Sequence, residues 1–130
     1  MFYAIKLGKY GIIESSKYDL IASAIQSEQA IGLDIETFYK DTVNYPKKKV
    51  KGVETVDWSD LTPDSGHIQY IQIYLPSSNM CVALSMKALE YNYLTDNSIV
   101  CALLSFVQNP EKEAFIHNAL YECLWFKSKF

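Results

Sequence analysis

Several kinds of segment are missing from this chain of 130 residues, and each absence excludes a class of protein. No run approaches the roughly 18 apolar residues that a membrane-spanning helix needs. The apolar start, residues 1–7, is too short for a signal peptide. Walker, G-x-G-x-x-G and G-x-S-x-G motifs do not occur. We therefore expect a cytoplasmic protein without a membrane segment.

Cysteine is scarce and shows no pairing in the sequence. Cys81, Cys101 and Cys123 are odd in number and widely spaced, so they form neither the C-x-x-C pair of a zinc site nor a disulfide framework. We expect them to be reduced and mostly buried in the core.

The chain also lacks excess positive charge. Its formal net charge of -3 argues against a protein that coats nucleic acid through bulk charge. A nuclease is compatible with this charge, because a carboxylate site is acidic until a metal ion enters it and attracts the phosphates. Apolar residues make up 49% of the chain, which is enough for the core of one domain.

Hydrophobic periodicity predicts an α/β domain with one mixed sheet. It indicates strands over 2–7, 31–36, 68–75, 80–84 and 114–116, and helices over 18–27, 99–108 and from 118 onward. In the last helix, Leu120, Cys123, Leu124 and Phe126 are available for packing. The segment 38–66 is long, charged and without periodicity, which in a compact domain is usually functional or mobile.

Two carboxylates follow a short apolar run in the segment 31–37, which reads I-G-L-D-I-E-T. Asp34 and Glu36 are two residues apart on a predicted strand, so their side chains share one face. Such close carboxylates repel each other unless a cation lies between them. Hard oxygen ligands suit Mg²⁺ or Mn²⁺. The alternative is an ordinary strand end that faces solvent.

A third carboxylate comes from the segment 115–122, which reads F-I-H-N-A-L-Y-E. Asn118 and Glu122 are four residues apart and therefore lie on one face of the predicted helix. The alternative is that Glu122 is an exposed helix residue and that Asn118 caps the helix.

A basic cluster, K-K-K-V-K, occupies residues 47–51. Lys47, Lys48 and Lys49 are candidates for contacts with a phosphate backbone beside a metal site. A solvated loop is the alternative interpretation.

Taken in order, the two carboxylate segments resemble the first two motifs of the DEDD 3'-5' exonucleases, such as ribonuclease D and the proofreading domain of A-family DNA polymerases. The resemblance implies a ribonuclease H-like fold with flanking helices and a two-metal site of Mg²⁺ or Mn²⁺. It also implies hydrolysis of DNA or RNA phosphodiesters from the 3' end. In the family's second motif, H-N-A-x-F-D, Glu122 stands in the place of Asp. The resemblance makes Asp34, Glu36 and Glu122 the catalytic metal ligands, and Thr37, Asn118, Lys47, Lys48 and Lys49 nucleic-acid contacts.

The family's third motif, a Tyr or His followed by Asp on a later helix, has no counterpart here. We therefore expect one C-terminally incomplete exonuclease-like domain over 1–130, with an insertion at about 38–66 and with weak or no activity. Two other interpretations stay open: a non-catalytic nucleic-acid-binding or interaction module, and half of a split exonuclease completed by a second chain. We also expect a homo-oligomer, because apolar side chains of the last segment would face water: Leu124, Trp125, Phe126 and Phe130.

Overall fold

The structure is a computed structural model that describes residues 2–6, 9–12, 15–86 and 98–129. Along these residues lie β1 (Phe2–Lys6), β2 (Lys9–Ile12), α1 (Tyr18–Ser27), β3 (Ala30–Tyr39), β4 (Lys47–Val50), β5 (Val53–Val56), β6 (Gly66–Leu75), β7 (Met80–Ser85), α2 (Ser98–Gln108), β8 (Glu113–Ile116) and α3 (Ala119–Lys129). Six strands form one sheet in the order β2-β1-β7-β6-β3-β8. The β3–β8 pair is parallel and the other pairs in this sheet are antiparallel. The predicted α/β architecture with a mixed sheet is confirmed.

Strand β3 lies between β6 and the edge strand β8 and contributes buried residues to the core. Ile31, Leu33 and Ile35 are buried in the core that all three helices share, whereas the alternating residues face the other side. The predicted buried strand is confirmed, and the observed strand continues to Tyr39.

Helices α1 and α2 cover this core and contact each other. Ile25 of α1 and Ile99 and Leu103 of α2 are almost completely inaccessible to solvent. The predicted helix over 18–27 agrees with α1 at both ends, and α2 begins one residue before its predicted start. No helix in the described part of the chain is long and apolar enough to cross a membrane.

Helix α3 packs only partly as predicted, because Phe126 lies against the core whereas Leu120, Cys123 and Leu124 are exposed. Leu120 and Leu124 are 87% and 55% exposed, whereas Glu122 and Trp125 are buried. Gly66 leaves the space for the indole of Trp125: a Cβ atom at Gly66 would lie only 2.7 Å from that ring and 2.8 Å from the carbonyl oxygen of Phe38.

Two further expectations about packing are wrong. Cys81, Cys101 and Cys123 are exposed thiols rather than core residues, because each lies on the outward side of its strand or helix. Trp125 does not face water, because it fills the space above Gly66. Leu7 and Phe130 lie outside the described residues.

The segment 38–66 contains regular structure that the sequence does not predict. Strands β4 and β5 form a separate two-stranded antiparallel sheet. Their turn residues, Lys51 and Gly52, both have positive φ angles, at 50° and 78°. This is the conformation that two-residue hairpin turns of type I′ require, and glycine adopts it without steric cost.

Candidate functional site

Asp34 and Glu36 project from the same face of β3, as the sequence predicts. On the neighbouring strand β6, Gln72 lies opposite Asp34 and Tyr70 opposite Glu36. Asp34 is half-buried and Glu36 is exposed. The register then shifts between Glu36 and Thr37, which marks a β-bulge directly after the two carboxylates. Such bulges bend a strand and redirect its side chains.

Thr37 joins β3 to the beginning of α3. Its hydroxyl group forms a hydrogen bond with the hydroxyl group of Tyr121. The carbonyl oxygen of Asn118 accepts hydrogen bonds from the N–H groups of Tyr121 and Glu122, at 3.0 and 3.2 Å, and so closes the first turn of α3. Thr37 and Asn118 therefore have structural roles at this junction, and the side chain of Asn118 is exposed.

Glu122 is the buried carboxylate of the site. Only 2% of its surface is accessible, and its Oε2 atom has no hydrogen-bond partner among the described residues. Burial raises the pKa of Glu122 above its ordinary value, and the negative charge of Asp34 raises it further. The backbone N–H groups of Glu122 and Ile35 and the charge of His117 act in the opposite direction. Asp34 and Glu122 are thus close enough to interact electrostatically.

The suitability of this site for a metal ion can be judged from its donor atoms. An unpartnered carboxylate oxygen beside a second carboxylate has the chemistry that a divalent cation requires. The position of Glu122 in the first turn of α3 also favours an anion, because the helix dipole is positive there. Within the ranges the structure describes, however, no group of three or more His, Cys, Asp or Glu residues is arranged to hold a metal ion. Asp34 and Glu122, whose charges interact, are the two carboxylate donors that this site offers.

The lysines of the basic cluster lie on the β4–β5 hairpin. Lys47, Lys48 and Lys49 are exposed, and Lys47 lies 3.5 Å from the carboxylate of Glu54. No described hydrogen bond or ion pair joins these three lysines to Asp34, Glu36 or Glu122.

Sequence reasoning missed two parts of this region. Tyr121 positions α3 through its hydrogen bond to Thr37. Its place next to Glu122 in the second motif is the sequence feature that could have indicated this role. Four aromatic residues also cluster beside the hairpin: Phe38, Tyr39, Tyr45 and Trp58. The high number of aromatic residues within this charged segment is the sequence feature that could have indicated the cluster.

An apolar pocket of about 260 Å³ lies between β8, α2 and α3. Phe106, Ile116, Cys123 and Phe126 are among its lining residues, and none of the predicted site residues is. This pocket is therefore separate from the carboxylate site.

Comparison of the chain with protein families, with curated proteins and with solved structures finds no match.

Proposed function

We propose that this chain is a 3'-5' exonuclease-like domain that acts on nucleic-acid phosphodiesters with Mg²⁺ or Mn²⁺. The observation that carries the proposal is the buried carboxylate of Glu122, with an unpartnered oxygen, beside Asp34, just beyond the end of the parallel pairing between β3 and β8. Burial of an unpaired ionised group is expensive, so such a carboxylate is expected to hold either a proton or a cation.

The strand order supports a ribonuclease H-like sheet for this domain. Strands β3, β6 and β7 are consecutive antiparallel neighbours, and β8 adds in parallel to the free side of β3 after the α2 crossover. Asp34 and Glu36 lie in the middle of β3, directly after Leu33, the last residue of β3 that pairs with the parallel strand β8. They are therefore just beyond the carboxyl end of β8, the kind of position where open α/β sheets usually bind ligands.

In this proposal the residues have distinct roles. Asp34 and Glu122 hold the cation, and Tyr121 positions Glu122 through its hydrogen bond to Thr37. Glu36, exposed on the same strand face as Asp34, is available to water and substrate. A bound divalent cation would supply Lewis-acid stabilisation of charge on a phosphoryl oxygen.

We propose that the rate is low. The described residues include no group of three or more candidate ligands, and residues that act as a unit at a metal site have non-additive effects. We expect turnover at least about a thousandfold below that of a complete two-metal exonuclease, which corresponds to about 4 kcal/mol of barrier. The same observation favours a second candidate function, a non-catalytic nucleic-acid-binding module.

Manganese binding tests the proposal directly. Titration calorimetry with Mn²⁺ should give an affinity at least about tenfold weaker for Asp34→Asn and for Glu122→Gln than for the wild type, because each variant loses one ionised ligand. Glu111→Gln removes an exposed carboxylate elsewhere on the surface and is the matched control. Equal affinities in all four proteins would overturn the cation site.

A nuclease assay separates the two candidate functions. A 3'-labelled single-stranded oligomer is incubated with Mn²⁺ and wild-type protein or Asp34→Asn. Slow trimming from the 3' end that disappears in Asp34→Asn supports the exonuclease. Manganese binding without any trimming supports the non-catalytic module.

A further inference from the structure

A second site is built where β3 leaves the sheet. Three aromatic rings form a stack there: Tyr45 lies on Tyr39 at a centroid distance of 5.4 Å and an angle of 14°, and Tyr39 lies on Trp58 at 6.0 Å and 10°. Phe38 closes the side of the stack, with its ring nearly perpendicular to those of Tyr39, Tyr45 and Trp58. We call these four residues the aromatic stack.

Burial and hydrogen bonds hold the aromatic stack in place. Tyr39 is 1% exposed, and its hydroxyl group donates a hydrogen bond of 2.6 Å to the carbonyl oxygen of Asp57. The carboxylate of Asp57 accepts hydrogen bonds from the N–H and hydroxyl groups of Ser59, at 3.0 and 2.7 Å. The residues on both sides of Trp58 are thereby held in place.

Trp58 nevertheless remains 47% exposed. Tyr39 stacks on the indole and Phe38 lies against it at a ring-centre distance of 5.2 Å, so the exposed surface is the part of the ring that these two residues leave uncovered. The other tryptophan, Trp125, is completely buried. An aromatic ring that its neighbours hold in place and that remains half-exposed is a surface on which a planar group can stack.

Lysine side chains line the hairpin beside the aromatic stack. Residues 47–56 include four lysines and one glutamate, whereas the whole chain has a net charge of -3. The ammonium group of Lys47 lies 5.9 Å from the ring centre of Tyr45, and Lys49, two residues further along β4, shares its strand face. Asp57 and Asp60 place negative charge near Tyr39, so the positive charge comes from the hairpin rather than from the stack itself. Positive charge beside a half-exposed aromatic ring matches a polymer of phosphates and planar bases.

We propose that the aromatic stack and the β4–β5 hairpin form a binding site for single-stranded nucleic acid, with a base on Trp58 and backbone phosphates on Lys47 and Lys49, which share one face of β4. A duplex is excluded from this contact, because its base faces are already covered by neighbouring bases. The chain contains no arginine, so the phosphate contacts come from lysine ammonium groups, which do not provide bidentate recognition of bases. Binding is therefore largely independent of base sequence.

The position of this site relates it to the carboxylates. Tyr39 lies three residues beyond Glu36 on the same strand, or roughly 10 Å at about 3.3 Å per residue. One short strand of nucleic acid can therefore reach both. The inference rests on the proposed function, because it specifies that the nucleic acid bound there is single-stranded.

The two tryptophans make the test direct. A twelve-residue oligothymidylate is titrated into the intact protein in EDTA, so that neither metal nor turnover contributes, and tryptophan fluorescence is recorded. We expect quenching that comes from Trp58, because Trp125 is inaccessible. The signal should disappear in Trp58→Leu, which keeps an apolar side chain without a flat π-face.

Anisotropy with a labelled oligomer gives the affinities. Trp58→Leu should weaken binding roughly tenfold or more, within the range of about 1–3 kcal/mol per stacked base. A Lys47→Gln, Lys49→Gln double variant should reduce the slope of log K against log salt by roughly 0.7 for each phosphate that it no longer neutralises. Lys127→Gln, an exposed lysine of α3, is the matched control and should bind like the wild type. A twelve-base-pair duplex should bind at least about tenfold more weakly.

Several results would overturn the inference: equal affinity of Trp58→Leu and the wild type, equal affinity for single strand and duplex, or no binding of either oligothymidylate or oligouridylate. None of these would affect manganese binding at Asp34 and Glu122. Conversely, oligomer binding that is normal in EDTA together with absent manganese binding would remove the exonuclease proposal and leave this site standing.

Discussion

Glu122 places an ionisable carboxyl group in a buried environment, where the charged form is unfavourable. Its surroundings explain this: the neighbouring residues Tyr121 and Trp125 of α3 pack in or against the core, and Asp34 adds a negative charge from β3. Burial and the charge of Asp34 both favour the protonated carboxyl group. The free energy of this residue therefore depends on pH and on any cation that binds.

Glu122→Gln should stabilise the metal-free protein at neutral pH. Because folding raises the pKa of Glu122, its contribution to stability is fully present below the ordinary value of 4.5 and is lost as the pH rises through the folded pKa. Thermal unfolding in EDTA should therefore give similar midpoints for both proteins near pH 4. By pH 8 the variant should be more stable by about 1 kcal/mol, a shift of a few degrees. A difference that does not change with pH, as expected for the control Glu111→Gln, would contradict this prediction.

The pairing of Asp34 and Glu36 on one face was predictable, because the period of a strand is set by backbone geometry. The burial of Glu122 was not. It depends on the rotation of α3 about its axis, and the sequence of this helix offered a competing apolar face with Leu120 and Leu124. The cysteines were assigned to the core from the usual behaviour of their residue type, whereas the position of each on its own element decides its exposure.

At the scale of elements, the docking of α3 depends on Gly66 of β6. Gly66→Ala should destabilise the protein by about 1–3 kcal/mol, because its Cβ atom would meet Trp125 and a backbone carbonyl oxygen, and the latter cannot move freely. Gly32→Ala is the comparison: its Cβ atom would lie 3.1 Å from the Cβ atom of Tyr74, a milder contact. Urea unfolding of both variants tests this. A loss at Gly66 no larger than that at Gly32 would show that Trp125 is free to shift.

The elements that the sequence predicted well are those with a strong period. The bounds of α1 and the core of β6 follow from the spacing of apolar residues that face the shared core. The β4–β5 hairpin was missed because every residue of β4 is exposed, so no hydrophobic alternation marks it. The hairpin is indicated only by its turn, Lys51 and Gly52, where both residues have positive φ angles.

For the whole molecule, we predict self-association through α3. Leu120 and Leu124 are four residues apart, share one side of the helix and are both exposed. Light scattering at micromolar concentration should show dimers or larger species for the wild type. The double variant Leu120→Lys, Leu124→Lys should shift these species to monomers, whereas Leu20→Lys, at an exposed leucine of α1, should not. A monomeric wild type at these concentrations would exclude the interaction.

The hydrogen bond between Thr37 and Tyr121 joins residues that are 84 positions apart in the chain. At a synthesis rate of roughly 5–20 residues per second, Tyr121 is added about 4 to 17 s after Thr37. For most of this interval β3 can pair with β6, which in turn pairs with β7, but β8 has not yet been made and the other edge of β3 has no native partner. The carboxylate of Asp34 is therefore present on the nascent chain for seconds before Glu122 is made, so the candidate site assembles only in the last stage of folding.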